Sequence, residues 1–157
     1  MRNNGFTLIE LLIVVGIIAV LLSIFFFTDF NSYRGDAFRA EVSALGGALQ
    51  RARADAFNNI TQARHGVAIH PDGYDGYVIF ECGSGCENYA TRDPARDIRI
   101  NASYGVTIAP TEVIFNQLSG DAVTSTRSQY DGDVTLTDPS RNVTAKISIN
   151  HEGKISW

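Results

Sequence analysis

The chain has no proline ahead of Pro71, so no pyrrolidine ring obliges a helix to stop anywhere before that residue. It has only two cysteines, Cys82 and Cys86, so one bridge is the most that an oxidising compartment could draw from it. Positive charge is not in excess: 13 Lys plus Arg stand against 17 Asp plus Glu, a formal charge of −4. That balance argues against a non-specific nucleic-acid binder, which needs a basic footprint, but leaves room for a local basic patch. No serine sits in a nucleophile elbow and no glycine-rich phosphate loop is present, so an enzyme is not expected. Internal repeats and low-complexity tracts are also lacking.

What is present is a long apolar run. Leu8 to Phe27 is twenty residues interrupted by a single carboxylate, Glu10. As a helix it spans about 30 Å, the thickness of a bilayer's hydrocarbon core. An ionised carboxylate there costs roughly 2.5–3.5 kcal/mol on insertion scales, so Glu10 needs a proton or a cationic partner. Ahead of the run stands only Met1-Arg2-Asn3-Asn4-Gly5. A secretory signal places its small residue after the apolar region; here Gly5 precedes it. Gly16 has no Gly-x-x-x-Gly partner in the run, so a glycine-mediated helix dimer is not indicated. A plain signal anchor would leave Glu10 at the membrane edge, but would not explain Gly-Phe-Thr-Leu-Ile-Glu at this spacing.

Across Gly5 to Leu22 the chain closely resembles the class III signal of type IV prepilins and pseudopilins. The resemblance implies cleavage by a membrane peptidase between Gly5 and Phe6, N-methylation of Phe6, and pairing of Glu10 with the terminal amine of a neighbouring subunit during assembly. The electrostatics agree: cleavage after Gly5 creates an amine one helical turn from Glu10, and two buried charges offset each other's desolvation only when paired at close range. Loss of Arg2 with the leader leaves a side-chain balance of −5. Arg2 before the run and Asp29 after it place the N-terminus in the cytoplasm and the bulk of the chain outside the inner membrane. The implied partners are other pilins or pseudopilins, a prepilin peptidase, an inner-membrane assembly platform and a cytoplasmic assembly ATPase.

After the run, Phe38, Val42, Leu45, Leu49, Ala52 and Ala56 recur at steps of four and three, a narrow stripe suited to lying on a sheet. Arg39, Glu41, Gln50, Arg51, Arg53 and Asp55 fall between them and read as the wet side. One helix from about Phe6 to about Asn59 would be roughly 80 Å long, so half of it projects beyond a domain of this mass. Gly35, Gly46 and Gly47 weaken it, and a new start capped by Asp29, Asn31 or Ser32 would divide it. Beyond Gly66 the pattern shortens and alternates. Val67–His70, Tyr77–Phe80, Ile98–Ile100, Val106–Ile108, Val113–Phe115, Val134–Leu136 and the hairpin of Lys146–Ile149 with Lys154–Trp157 read as strands. His70-Pro71-Asp72-Gly73 and Asn150-His151-Glu152-Gly153 read as turns. The expected class is α+β and pilin-like. It comprises a leader (1–5), a membrane or filament-core helix (6–27), the outer half of the helix (28–59) and a β-rich head (60–157) built as an antiparallel sheet or small sandwich. Leu49 to Ala56, Val67 to Ile69, Val113 to Gly120, and Ile147 to Ile149 with Gly153 resemble minor pseudopilins of the GspH/FimT type. Phe25-Phe26-Phe27 stands where major pilins usually carry a proline, which fits a minor subunit.

Several constellations in the head carry possible chemistry. Cys82-Gly83-Ser84-Gly85-Cys86 suits a disulfide closing a small ring, worth roughly 2 kcal/mol in the loop-entropy model. A metal site would need two further ligands, and a redox pair is usually spaced by two residues. His65, His70 and His151 adjoin turns and read as turn polarity. Asp131-Gly132-Asp133, and Asp72-Gly73 with Asp75, are oxygen clusters of the kind calcium uses, but lack a full ligand loop; no metal or cofactor is expected. Some FimT-like minor pilins take up DNA through an arginine-bearing stretch near the C-terminus. The matching region here offers Arg141, Lys146 and Lys154, diluted by Asp138 and Glu152. Arg51, Arg53 and Arg64 form a second basic group near the helix end.

Overall fold

The computed structural model describes residues 7–27, 30–83, 87–102, 105–124 and 126–157, with side-chain surroundings for these except 24–27 and 30–33. The chain divides into two compact units, Met1–Gly35 and Asp36–Trp157.

The first unit holds helix α1, Leu8–Phe27. Its large apolar side chains from Leu8 to Leu22 are between 47% and 82% exposed. Among the described residues no helix is long and apolar enough to cross a membrane. Side chains of α1 are described only to Ser23, which at 1.5 Å per residue is about 24 Å of helix. The single helix expected from Phe6 to Asn59 is recorded as two, α1 and α2 (Phe30–Phe57). Residues 28 and 29, with the expected cap at Asp29, lie outside the described residues.

Among the described residues the second unit is built on the outer part of α2 and nine strands: β1 Arg64–Ile69, β2 Gly76–Cys82, β3 Ile98–Asn101, β4 Thr107–Ala109, β5 Glu112–Phe115, β6 Ala122–Val123, β7 Gly132–Asp138, β8 Val143–Ile149 and β9 Ile155–Ser156. They form two antiparallel sheets, ordered β3-β2-β1-β5-β6 and β4-β7-β8-β9. The stripe Phe38, Val42, Leu45, Leu49, Ala52 and Ala56 is buried in one core with Val67, Ile79, Val113 and Phe115 of the first sheet and Val134, Leu136, Ile147 and Ile149 of the second. The stripe thus packs against residues of both sheets, with alanines at its outer end. Successive residues of a strand point to opposite faces. Thus Ala68, Val78, Phe80, Cys82 and Ile114 form a second core on the other face of the first sheet, packed with Tyr74 and Tyr89. Both faces of β1 are covered, and its last five residues are buried.

Glu41 departs from the expected wet side. It is 1% exposed and accepts a hydrogen bond from the Tyr77 hydroxyl on β2. Its position three residues after Phe38 and four before Leu45 puts it on the apolar stripe, and the buried phenol supplies a polar partner there. The expected weak point at Gly46 is also filled: a Cβ on that glycine would lie 3.1 Å from the Trp157 ring. The missing side chain lets the C-terminal indole rest on the helix. Strand β6 was not anticipated. The remaining strands fall on or within two or three residues of the expected ones.

Candidate functional site

The first turn of α1 is capped by Thr7. Its Oγ1 accepts from the Glu10 amide at 3.3 Å, and its carbonyl accepts from Glu10 and Leu11 at 3.1 and 3.2 Å. Thr7-Leu8-Ile9-Glu10 has the Ser/Thr-x-x-Glu form that satisfies free amides at a helix start. Glu10 sits in that first turn, where the positive end of the helix dipole favours a carboxylate, and it is exposed. Sequence reasoning missed the cap, although the spacing of Thr7 and Glu10 carries it. Gly5 and Phe6, the expected cleavage and methylation positions, lie outside the described residues.

In the head, the outer end of α2, the β5–β6 loop and the turn at Glu152-Gly153 converge. Leu118 N–H donates to the Ala56 carbonyl at 2.9 Å, and Gln117 Nε2 donates to Asn59 Oδ1 at 2.5 Å. The β5–β6 loop therefore satisfies groups that a helix C-terminus leaves open. Asn59 itself adopts φ 55° and ends the helix, as Asn58-Asn59 suggests. Arg53 Nη2 donates to the Glu152 carbonyl at 3.0 Å. Gly153 turns at φ 73°, and a Cβ there would lie 2.0 Å from the Gly120 carbonyl oxygen and 2.8 Å from Arg53 Nε. Helix, loop and terminal hairpin thus meet at a point that only glycine fits.

The three basic residues weighed for DNA are strung along the second sheet. Arg141 lies in the β7–β8 turn, where its amide donates to Asp138 Oδ1 at 3.3 Å. Lys146, on the outward face of β8, is ion-paired with Asp133 at 3.0 Å. Lys154 follows the next turn, which is closed by its amide donating to Asn150 Oδ1 at 2.7 Å. Seven residues of β8 separate the two turns, about 24 Å in an extended strand. Ser148 and Lys146 hydrogen bonds, in that order, hold the Asp133 carboxyl below its ordinary pKa. In the second basic group, Arg51 pairs with Asp55 at 3.9 Å, and Arg53 is engaged as above.

Cys82 is buried and disulfide-bonded; Cys86 lies outside the described residues. His65 is 6% exposed, with Nε2 3.0 Å from the Ile60 carbonyl oxygen. His70 Nε2 is 3.6 Å from Asp75, and the His151 and Glu152 side chains are 4.0 Å apart. Among the described residues no group of three or more His, Cys, Asp or Glu is placed to hold a metal ion.

Residues 1–26 match the family model for the prokaryotic N-terminal methylation motif. Over those residues, 26 of 157, the chain is similar to type IV pilin-like proteins that carry this motif. No curated protein and no solved structure matches the chain.

Proposed function

We propose that the chain is a minor pilin or pseudopilin of the GspH/FimT type, a structural subunit of a type IV filament system and not an enzyme. The N-terminal match to the methylation motif carries this reading. In it, the leader is removed after Gly5, Phe6 is methylated, and the Leu8–Phe27 helix serves as a single membrane span until assembly. The apolar side chains exposed on α1 then pack against those of other pilins, because a continuous apolar surface of this extent needs a lipid or protein partner. Glu10, held in the capped first turn, meets the amine of the next subunit. The head, from about residue 60 onward, stays outside the inner membrane and decorates or primes the filament. Filaments of both secretion pseudopili and type IV pili accommodate such a subunit.

DNA uptake draws less support. A phosphate backbone requires several uncommitted cations close together, whereas Lys146 is held by Asp133 and stands between turns carrying the other two. The deciding experiment is mass analysis of the N-terminus of assembled protein together with Glu10→Ala. The expected mature chain begins at methylated Phe6, and Glu10→Ala inserts in the membrane but fails to enter filaments. Met1 retained in filaments, or normal incorporation of the variant, would overturn the proposal.

A further inference from the structure

A cleft of about 370 Å³ runs between the outer end of α2 and the terminal hairpin. Gln50, Arg53, Ala54, Phe57 and Asn58 share one helix face and form one wall; Lys154 and Ile155 form the other. No carboxylate is among these residues. By contrast, the cleft beside Arg51 includes Asp55 and Glu81, which pair with Arg51 and Arg96. A third cleft, on the second sheet, is also bordered by Lys154 and includes Asp131 and Asp133, the latter held by Lys146 at 3.0 Å. Among the described residues neither Lys154 nor Arg53 belongs to an ion pair. The one acceptor Arg53 has is the neutral Glu152 carbonyl, so its charge is not neutralised. The apolar part is open as well. Phe57 is 57% exposed, and Leu118, whose amide bonds the Ala56 carbonyl at the same helix end, is 63% exposed. These are the two most exposed large apolar side chains described in the second unit.

We propose that this cleft docks a segment of a partner protein that presents a carboxylate next to an apolar side chain. The carboxylate meets the Lys154 ammonium, and the apolar side chain lies on Phe57, Ala54 and Ile155. Both halves are held in place beforehand. Lys154 follows a turn closed by Gly153 N–H on the Asn150 carbonyl at 2.8 Å and by its own amide on Asn150 Oδ1 at 2.7 Å. Phe57 packs over Gly120, where a Cβ would stand 3.4 Å from it. Contact groups fixed in this way lower the ordering cost of binding. A protein carboxylate suits the cleft better than a phosphate backbone. A bidentate grip on phosphate, the strong mode of guanidinium, would need Arg53 Nη2, which is on the Glu152 carbonyl, and Arg53 Nε is buried. Arg53 therefore contributes positive potential, and Lys154 makes the direct contact, too few contacts for a polynucleotide. The volume is at the low end of ligand sites and suits one or two side chains. The site does not depend on the filament reading, because every residue in it belongs to the second unit.

The test is titration of the full-length, methyl-labelled chain in non-ionic detergent micelles at constant ionic strength. The probes are the peptide acetyl-Glu-Phe-Leu-amide and its counterpart with Gln for Glu. Saturable shifts of the Ala54 and Ile155 methyl signals, with those of Ile60 and Ile98 in the cleft beside Arg51 unmoved, support the proposal. Lys154 is exposed, so Lys154→Gln keeps the fold, as Trp157 emission checks. It should weaken the Glu peptide by about twofold to fivefold, the scale of an exposed ion pair, and leave the Gln peptide unchanged. Phe57→Ala should weaken both peptides by roughly fivefold, the scale of one partly covered apolar side chain. Shifts that never saturate, equal binding of the two peptides, or a Glu peptide indifferent to Lys154→Gln would overturn the proposal. So would a stronger saturable response of the same signals to an oligothymidylate or to phosphatidylglycerol mixed into the micelles.

Discussion

The buried contact between Glu41 and Tyr77 makes the sharpest claim about how the head holds its helix. Glu41 is 1% and Tyr77 0% exposed, and the phenol donates to Glu41 Oε1 across the interface of α2 and β2. A hydrogen bond to a carboxyl group in such a setting is worth about 1–3 kcal/mol, and a buried polar group deprived of its partner costs a similar amount. Tyr77→Phe keeps the ring in the core and deletes only the hydroxyl, so it should destabilise the head by about 2 kcal/mol. Glu41→Leu strands the hydroxyl and should cost about as much, less whatever the new apolar contact with Phe38, Val42 and Leu45 returns. Combining the two removes both polar groups together. The double variant should therefore be more stable than the sum of the single losses predicts by about 1.5–2 kcal/mol.

The assay is urea unfolding of the full-length chain in micelles, followed by Trp157 fluorescence. Trp157 is the chain's one tryptophan, and its ring rests on α2 at Gly46, so its emission reports the joining of helix and terminal hairpin. Additive single losses, or Tyr77→Phe within about 0.5 kcal/mol of the parent, the usual spread for substitutions that touch nothing important, would refute the coupling.

Further outcomes test other parts of the head. Burial above all, and then the hydrogen bond to Glu41, raise the Tyr77 pKa. The folded chain therefore keeps a proton that the unfolded chain releases near pH 10. The resulting contribution is complete below that pH and is lost as pH rises further, by up to about 1.4 kcal/mol per unit. An alkaline urea series should show this decline, and Tyr77→Phe should flatten it. Gly153→Ala puts a Cβ against the Gly120 carbonyl at positive φ and should cost roughly 3 kcal/mol or prevent folding, as read by the same fluorescence. Gly47 has open space around a Cβ, so Gly47→Ala should stabilise the isolated subunit by about 1 kcal/mol in the same titration. Cys82 should resist alkylation in exported protein until reductant is added, and a freely alkylated thiol in the mass spectrum would contradict this.

Helical spacing made the buried face of α2 readable, and it also placed Glu41 on that face. Polarity alone turned it outward, because a sequence shows the cost of burying a carboxyl group but not the phenol from a strand 36 residues away that offsets it. Strand β6 is two residues long, too short to display alternation, and exists through its pairing with β5. The choice between one sheet and a two-sheet head stayed open for a related reason. β4 and β5 are separated only by Pro110 and Thr111, yet β4 pairs with β7 and β5 with β1. Pairing partners are chosen by the whole core, not by the intervening turn.

The contrast between stem and head follows from the same distinction. At the N-terminus the expected cleavage junction, the cap at Thr7 and the acid at Glu10 occupy six consecutive residues, so the pattern is written locally and is recognisable by itself. In the head, Arg53, Gly120 and Gly153 meet only after two sheets and a helix have formed. Each is an ordinary residue in its own segment. Arg64, grouped in the sequence with Arg51 and Arg53, lines one cleft with Arg127, 63 residues further along the chain. A short stretch can therefore carry its signature alone, while the head's contacts depend on side chains whose association is a product of the fold.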